Sequence, residues 1–63
     1  MKNQLWLQFV HRNKGVQWIL LLGKTKEEKL AYAKNYLDAR RVDGLVVGAP
    51  RIVRQSGTTL MEL

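Results

Sequence analysis

His11 is the single histidine of the chain and there is no cysteine, which bounds the available chemistry at once. A multi-histidine metal centre, a Cys-His pair and a Cys-based zinc staple are all excluded by residue type. A Ser-His-Asp arrangement would have to combine Ser56, His11 and either Asp38 or Asp43, and nothing around Ser56 resembles a nucleophile elbow. Glu27 and Glu28 are adjacent, so on a helix they point about 100° apart and cannot flank one substrate as an acid and base. Gly44 and Gly48 precede no phosphate-loop lysine. These gaps predict a non-catalytic protein with no cofactor and no metal. His11, close to a hairpin end, is expected to be a strand residue with a solvated tip.

The residues that could do chemistry are cationic and aromatic. Eleven Lys and Arg stand against five Asp and Glu, a formal charge of +6 on 63 residues. Such an excess gives solubility and suits an acidic partner: nucleic acid, an anionic membrane face or an acidic protein surface. The cations cluster at turns and element ends, as Arg12 with Lys14, Lys24 with Lys26, Arg40 with Arg41, and Arg51 with Arg54. Lys and Arg in such places reach phosphates without disturbing a core, so these eight are the candidate nucleic-acid contacts. No helix-turn-helix recognition helix and no Gly-rich aromatic RNA-recognition strand is present, so this expectation rests on charge and shape. A second set, Trp6, Val10, Trp18 and Tyr32, is the candidate protein interface. Trp6 lies beside Gln8, Val10 and Arg12 on the outer side of its strand, where it could stack on a base, anchor a partner, or fold over an edge as cover.

These side chains need a scaffold, and the pattern predicts a small one. Sixty-three residues allow one domain, spanning 1–63, with a single marginal core. A hydrophobic fraction of 46% is ample for folding and argues against whole-chain disorder. The longest apolar run, Trp18–Leu22, is far short of the roughly 20 residues that cross a bilayer, and the region after Lys2 lacks a leader's cleavage pattern. The expectation is a soluble, cytoplasmic protein with no membrane partner.

Alternation of Leu5, Leu7 and Phe9 with Gln4, Gln8 and Arg12 reads as a half-buried strand, and the nearly continuous run Val16–Leu22 as a central one. Asn13-Lys14-Gly15 suits a three-residue loop, placing Arg12 opposite Val16, Val10 opposite Trp18 and Trp6 opposite Leu22. A two-residue Lys14-Gly15 loop is the rival, and it would turn Trp18, Leu20 and Leu22 inward, because one residue of slip reverses a strand's faces. With the longer loop these three join Trp6 outside, a patch too apolar to leave wet, implying a partner or a homodimer.

Thr25-Lys26-Glu27-Glu28 fits a capping box, opening a helix over Thr25–Ala39. Leu30, Ala33, Tyr36 and Leu37 form its buried stripe, and Tyr32 sits round from that stripe, at least half exposed. After Asp43-Gly44, Leu45-Val46-Val47 reads as a short buried strand interrupted at Gly48-Ala49-Pro50, with Pro50 at an edge or bend. A last hairpin about a two-residue Ser56-Gly57 loop pairs Val53 with Leu60, Ile52 with Met61 and Arg51 with Glu62. The result is an α+β domain, ββαββ or ββαβββ, with one helix on one face of a mostly antiparallel sheet. Its strand order would be 2-1-3-4.

From Trp18 to Leu37 the chain runs strand, Gly-Lys break, Thr-Lys-Glu-Glu and a helix holding Tyr and Ala. That stretch resembles the strand-to-helix passage of small ββαβ modules. Among these are the arm-binding DNA modules of tyrosine recombinases, whose sheet reads the major groove, and tiny phage-encoded inhibitors that dock on host enzymes. Taken with the residues, the expected function is that of a nucleic-acid-binding accessory or regulatory protein contacting phosphates. The alternative is a small inhibitor or adaptor, of phage or mobile-element type, docking on a protein through Trp6 and a sheet edge.

Overall fold

A computed structural model describes residues 4–63; residues 1–3, Lys2 among them, lie outside that set. The alternating first run forms β1, Leu5–His11, and the second forms β2, Gly15–Leu20. The capped stretch is α1, Lys26–Val42, followed by β3, Val46–Arg54, and β4, Thr59–Glu62. All neighbouring strands are antiparallel, in the order β2-β1-β3-β4, and α1 covers one face. This is the expected ββαββ architecture and strand order.

One face of β1 supplies Leu7 and Phe9, which pack with Leu21, Ile52 and the α1 residues Ala33 and Leu37 into a buried cluster. Leu5, Ile19, Leu30 and Tyr36 close it from the sides. Phe9 meets the Tyr36 ring edge-on, with centroids 6.0 Å apart. The helical stripe is therefore the one its 3.6-residue spacing implied.

The helix is longer than expected at its C-terminal end, through Arg40, Arg41 and Val42. A Schellman closure stops it: the Leu45 N–H donates to the Arg40 carbonyl and the Gly44 N–H to the Arg41 carbonyl, both at 3.0 Å. Gly44, at φ +67°, supplies the left-handed residue this requires. At the start, the Thr25 hydroxyl accepts from the Glu28 amide at 3.1 Å, and Glu28 Oε1 accepts from the Lys24 amide at 2.7 Å. The box thus reaches back one residue further than the usual pattern.

Both hairpins depart from their expected pairing. His11 pairs with Gly15, so the first loop is Arg12-Asn13-Lys14, and Val10 faces Val16, Gln8 faces Trp18 and Trp6 faces Leu20. The Arg12 amide is claimed by the Leu45 carbonyl at 2.7 Å and so leaves the β1–β2 ladder. The shift is by two residues, an even number, so every side chain keeps the face that the three-residue loop assigns. In the second hairpin the loop is Gln55-Ser56-Gly57, with the Arg54 amide bonded to the Thr58 carbonyl at 2.9 Å. Val53 consequently faces Thr59 rather than Leu60. An irregularity at Leu60 restores the register, so Ile52 still faces Met61 and Arg51 still faces Glu62.

β3 is one strand through Gly48 and Pro50, not two pieces. Pro50 therefore lies in a central strand, but at the irregularity between Gln8 and Val10 where the β1–β3 ladder is already broken. The Pro50 carbonyl accepts from the Leu63 amide at 2.9 Å, so its ring nitrogen faces that same side, past the end of β4 at Glu62 where the ladder stops.

Gly23 makes the tight entry into α1, at φ +141°, and a Cβ there would lie 2.7 Å from Glu28 Cβ and 3.1 Å from the Glu28 backbone carbon. Gly23→Ala is expected to cost about 1–3 kcal/mol from strain and displacement of the first helical turn. Urea unfolding followed by circular dichroism reads this; an unchanged midpoint would contradict the packing described.

Candidate functional site

The face of the sheet turned away from α1 is built from three transverse rows, set by the registers. Val16, Val10 and Val47 make the row nearest the first hairpin, and Leu20, Trp6, Val53 and Thr59 the row nearest the chain's start. Between them runs a polar row across all four strands: Trp18, Gln8, Arg51 and Glu62. An Arg51 guanidinium N–H donates to Gln8 Oε1, which aligns the centre of that row.

Trp18 is 39% exposed and Val10, Val16 and Val47 are 40%, 60% and 47% exposed, so this face is an open apolar surface. Trp6 is half-buried behind Trp18, their rings meeting edge-to-face with centroids 6.1 Å apart and planes at 61°. The Trp6 Nε1 is buried with no acceptor. Trp6 therefore acts first as packing, while Trp18 presents its ring outward. Val53, in the same row as Trp6, is fully buried although it stands apart from the helix-side cluster. Beside the polar row, where the β1–β3 ladder is irregular, a hollow of about 330 Å³ opens among Gln8, Val10, Val16, Ala49, Arg51 and Glu62.

The eight candidate phosphate contacts are divided between two ends and the middle. Arg12 and Lys14 in the first loop lie at the same end of the molecule as Arg40 and Arg41 in the last turn of the helix. The Arg12 guanidinium reaches the Gly44 carbonyl at 3.5 Å, and Lys14, Arg40, Asp43, His11 and Tyr36 line one open cleft. Arg40 is held there over the Tyr36 ring at 3.8 Å from its centroid. At the opposite end stand Lys24 and Lys26, beside the helix start, and Arg54, which pairs with Leu5. Lys26 and Lys29 border a narrow apolar groove with Leu5, Leu30, Leu60 and Met61. Arg51 alone lies in the middle of the outer face.

The carboxylates are distributed unequally. Glu27, Glu28 and Asp38 belong to α1, and Asp43 is its C-cap. The sheet and its hairpins carry Arg12, Lys14, Arg51 and Arg54 against Glu62 alone. The helical layer is thus close to charge balance, and most of the net positive charge of the described residues belongs to the sheet layer.

Of the four candidate interface residues, Trp6, Val10 and Trp18 share the outer face. Tyr32 does not join them: it is half-buried against the core cluster on the α1 side. His11 is also placed differently from expectation. It is a strand residue, as expected, but it faces α1 and is only 9% exposed; its Nδ1 accepts from the Asn13 amide at 3.1 Å and caps the hairpin turn, while its ring borders the open cleft. Ser56 sits in the loop at the far end of the sheet from His11. Gln8, Val47 and Glu62 were not singled out as site residues. Their common signal is the period-two pattern, but their adjacency needs the strand order as well.

No family model, curated protein or solved structure matches this chain. Among the described residues, no helix is long and apolar enough to cross a membrane.

Proposed function

We propose that this is a non-catalytic nucleic-acid-binding protein of accessory or regulatory type, engaging its ligand through the sheet layer. The observation that carries this reading is the segregation of charge, with four of five carboxylates on α1 and its cap, and a cationic sheet layer bearing an exposed indole. A polyanion is drawn to the layer where cations are least offset, and each phosphate neutralised releases counterions. Arg12 and Lys14 at one end, Arg51 centrally, and Arg54 with Lys24 at the other end are the phosphate contacts.

The test is affinity for labelled oligonucleotides between about 50 and 300 mM salt, where three to five phosphate contacts give a log–log slope of about −2 to −4. Lys34→Gln, on the exposed helix face, is expected to leave that slope unchanged. No binding at low salt, or a flat response, overturns the proposal.

A second reading, docking on an acidic protein, draws on β4, a sheet-edge strand whose four residues are all exposed. Capture of a protein partner that survives nuclease digestion, together with absent oligonucleotide binding, would favour it.

A further inference from the structure

We infer that the nucleic acid bound is single-stranded, with one base stacked on Trp18 and its neighbour over the hollow beside Gln8 and Arg51. This rests on the nucleic-acid reading above and specifies the ligand class of the same face.

Three observations separate single strand from duplex. The first is the outward indole. Trp18 exposes one side while the edge-to-face contact with Trp6 holds the ring in place, so little side-chain freedom remains to be lost on stacking. In a duplex the π-faces of the bases are occupied by their neighbours, whereas an unpaired base offers its face to such a platform.

The second is the shape of the surface. Four strands span three inter-strand gaps, about 14 Å between outer strand axes, before side chains are added. The major groove is about 12 Å wide and admits a helix or a two-stranded ribbon, so the full face cannot enter it flat. A flexible single strand can lie across it.

The third is the order of side chains along the polar row. Next to the aromatic platform come an amide, a guanidinium and a carboxylate, from Gln8, Arg51 and Glu62, aligned by strand pairing and by the Arg51–Gln8 hydrogen bond. Amide, guanidinium and carboxylate groups complement the donors and acceptors on a base edge. The hollow they border, at about 330 Å³, has room for a small planar group. Flanking valines meet base faces without penalty, but opposite a duplex backbone they would desolvate phosphates with nothing in return.

A second copy of the chain is the less suitable occupant, because each face carries Arg51 at its centre and Arg12 and Arg54 at its ends. Such pairing would oppose two cationic layers.

The experiment compares oligothymidylate of about ten nucleotides with a duplex of equal length, by anisotropy at low salt, for the natural protein, Trp18→Ala and Trp18→Phe. The expected result is preference for the single strand, quenching of indole fluorescence on binding, and weakening by about tenfold or more in Trp18→Ala. Trp18→Phe, which keeps a π-face, should stay within about threefold of the natural protein. Equal or tighter duplex binding, or single-strand affinity indifferent to Trp18→Ala, overturns this inference and leaves the cationic reading standing. Equal losses in both variants also overturn it, since stacking would then not be the role of the ring. Absence of salt-sensitive binding to either ligand removes the nucleic-acid reading itself and points to a protein partner.

Discussion

Leu7→Ala is expected to unfold much of the population at room temperature, through a loss of about 2–5 kcal/mol. Leu7 is fully buried at the centre of the sheet, between Ile19 on β2 and Ile52 on β3, beneath Ala33 and Leu37. Removing its isobutyl group sacrifices transfer free energy and leaves a cavity that flanking strands, held by their ladders, cannot collapse to fill. A core of this size rarely supplies more than about 3–5 kcal/mol in total, and no disulfide is present to make up the difference. Urea titration monitored by far-ultraviolet circular dichroism measures the effect. Val16→Ala, on the 60% exposed residue of the outer face, is the comparison and should cost less than about 1 kcal/mol. Similar midpoints for the two variants would mean that the helix-covered side is not the core.

Joint replacement of Arg12, Arg51 and Arg54 by Gln is expected to weaken oligonucleotide binding by about 10- to 100-fold near 50 mM salt, with a slope shallower by about two. The three side chains mark the two ends and the middle of the sheet layer, where one carboxylate, Glu62, offsets them. A strand crossing the outer face over Arg51 runs between the end that bears Arg12 and the rim that bears Arg54, so their effects should appear in the salt slope and not only in affinity. Arg51→Lys separates charge from geometry: it keeps the cation but loses the planar fork that engages Gln8. It should retain the slope while losing affinity. Circular dichroism of the triple variant should match that of the natural protein, since Arg12 and Arg54 are exposed. An unchanged slope in the triple variant would place the ligand elsewhere on the molecule.

Local chemistry was strongly legible. Thr25 and Glu28 mark the start of α1 through bonds between residues three or four apart, and Leu30, Ala33 and Leu37 declare its buried side by spacing alone. Gly44 follows the helix end as its left-handed residue. Even so, the end lay beyond the expected Ala39, because Arg40 and Arg41 prolong the helix into the closure through Leu45. Arg51 opposite Glu62 was also readable as a pair of opposite charges. The loop between their strands was not: a three-residue turn and an irregularity at Leu60 shift the register in opposite senses and cancel.

The first hairpin shows where local reading stops. Loop preferences of Asn13, Lys14 and Gly15 leave several registers close in energy. The decision comes from Leu45, 33 positions beyond Arg12, whose carbonyl takes the Arg12 amide. The His11 side chain follows the core-facing parity of β1, and its Nδ1 takes the Asn13 amide within the turn.

The amino-acid sequence by itself determined the element types, the helical stripe, the excess of cations and the want of cysteine beside a single histidine, because each is a property of composition or of neighbours a few residues apart. Tertiary structure alone decided that Trp18, Gln8, Arg51 and Glu62 form one row, and that Tyr32 is parted from the tryptophans. Strand order sets those relations, and strand order follows from how one helix buries its stripe on four strands at once.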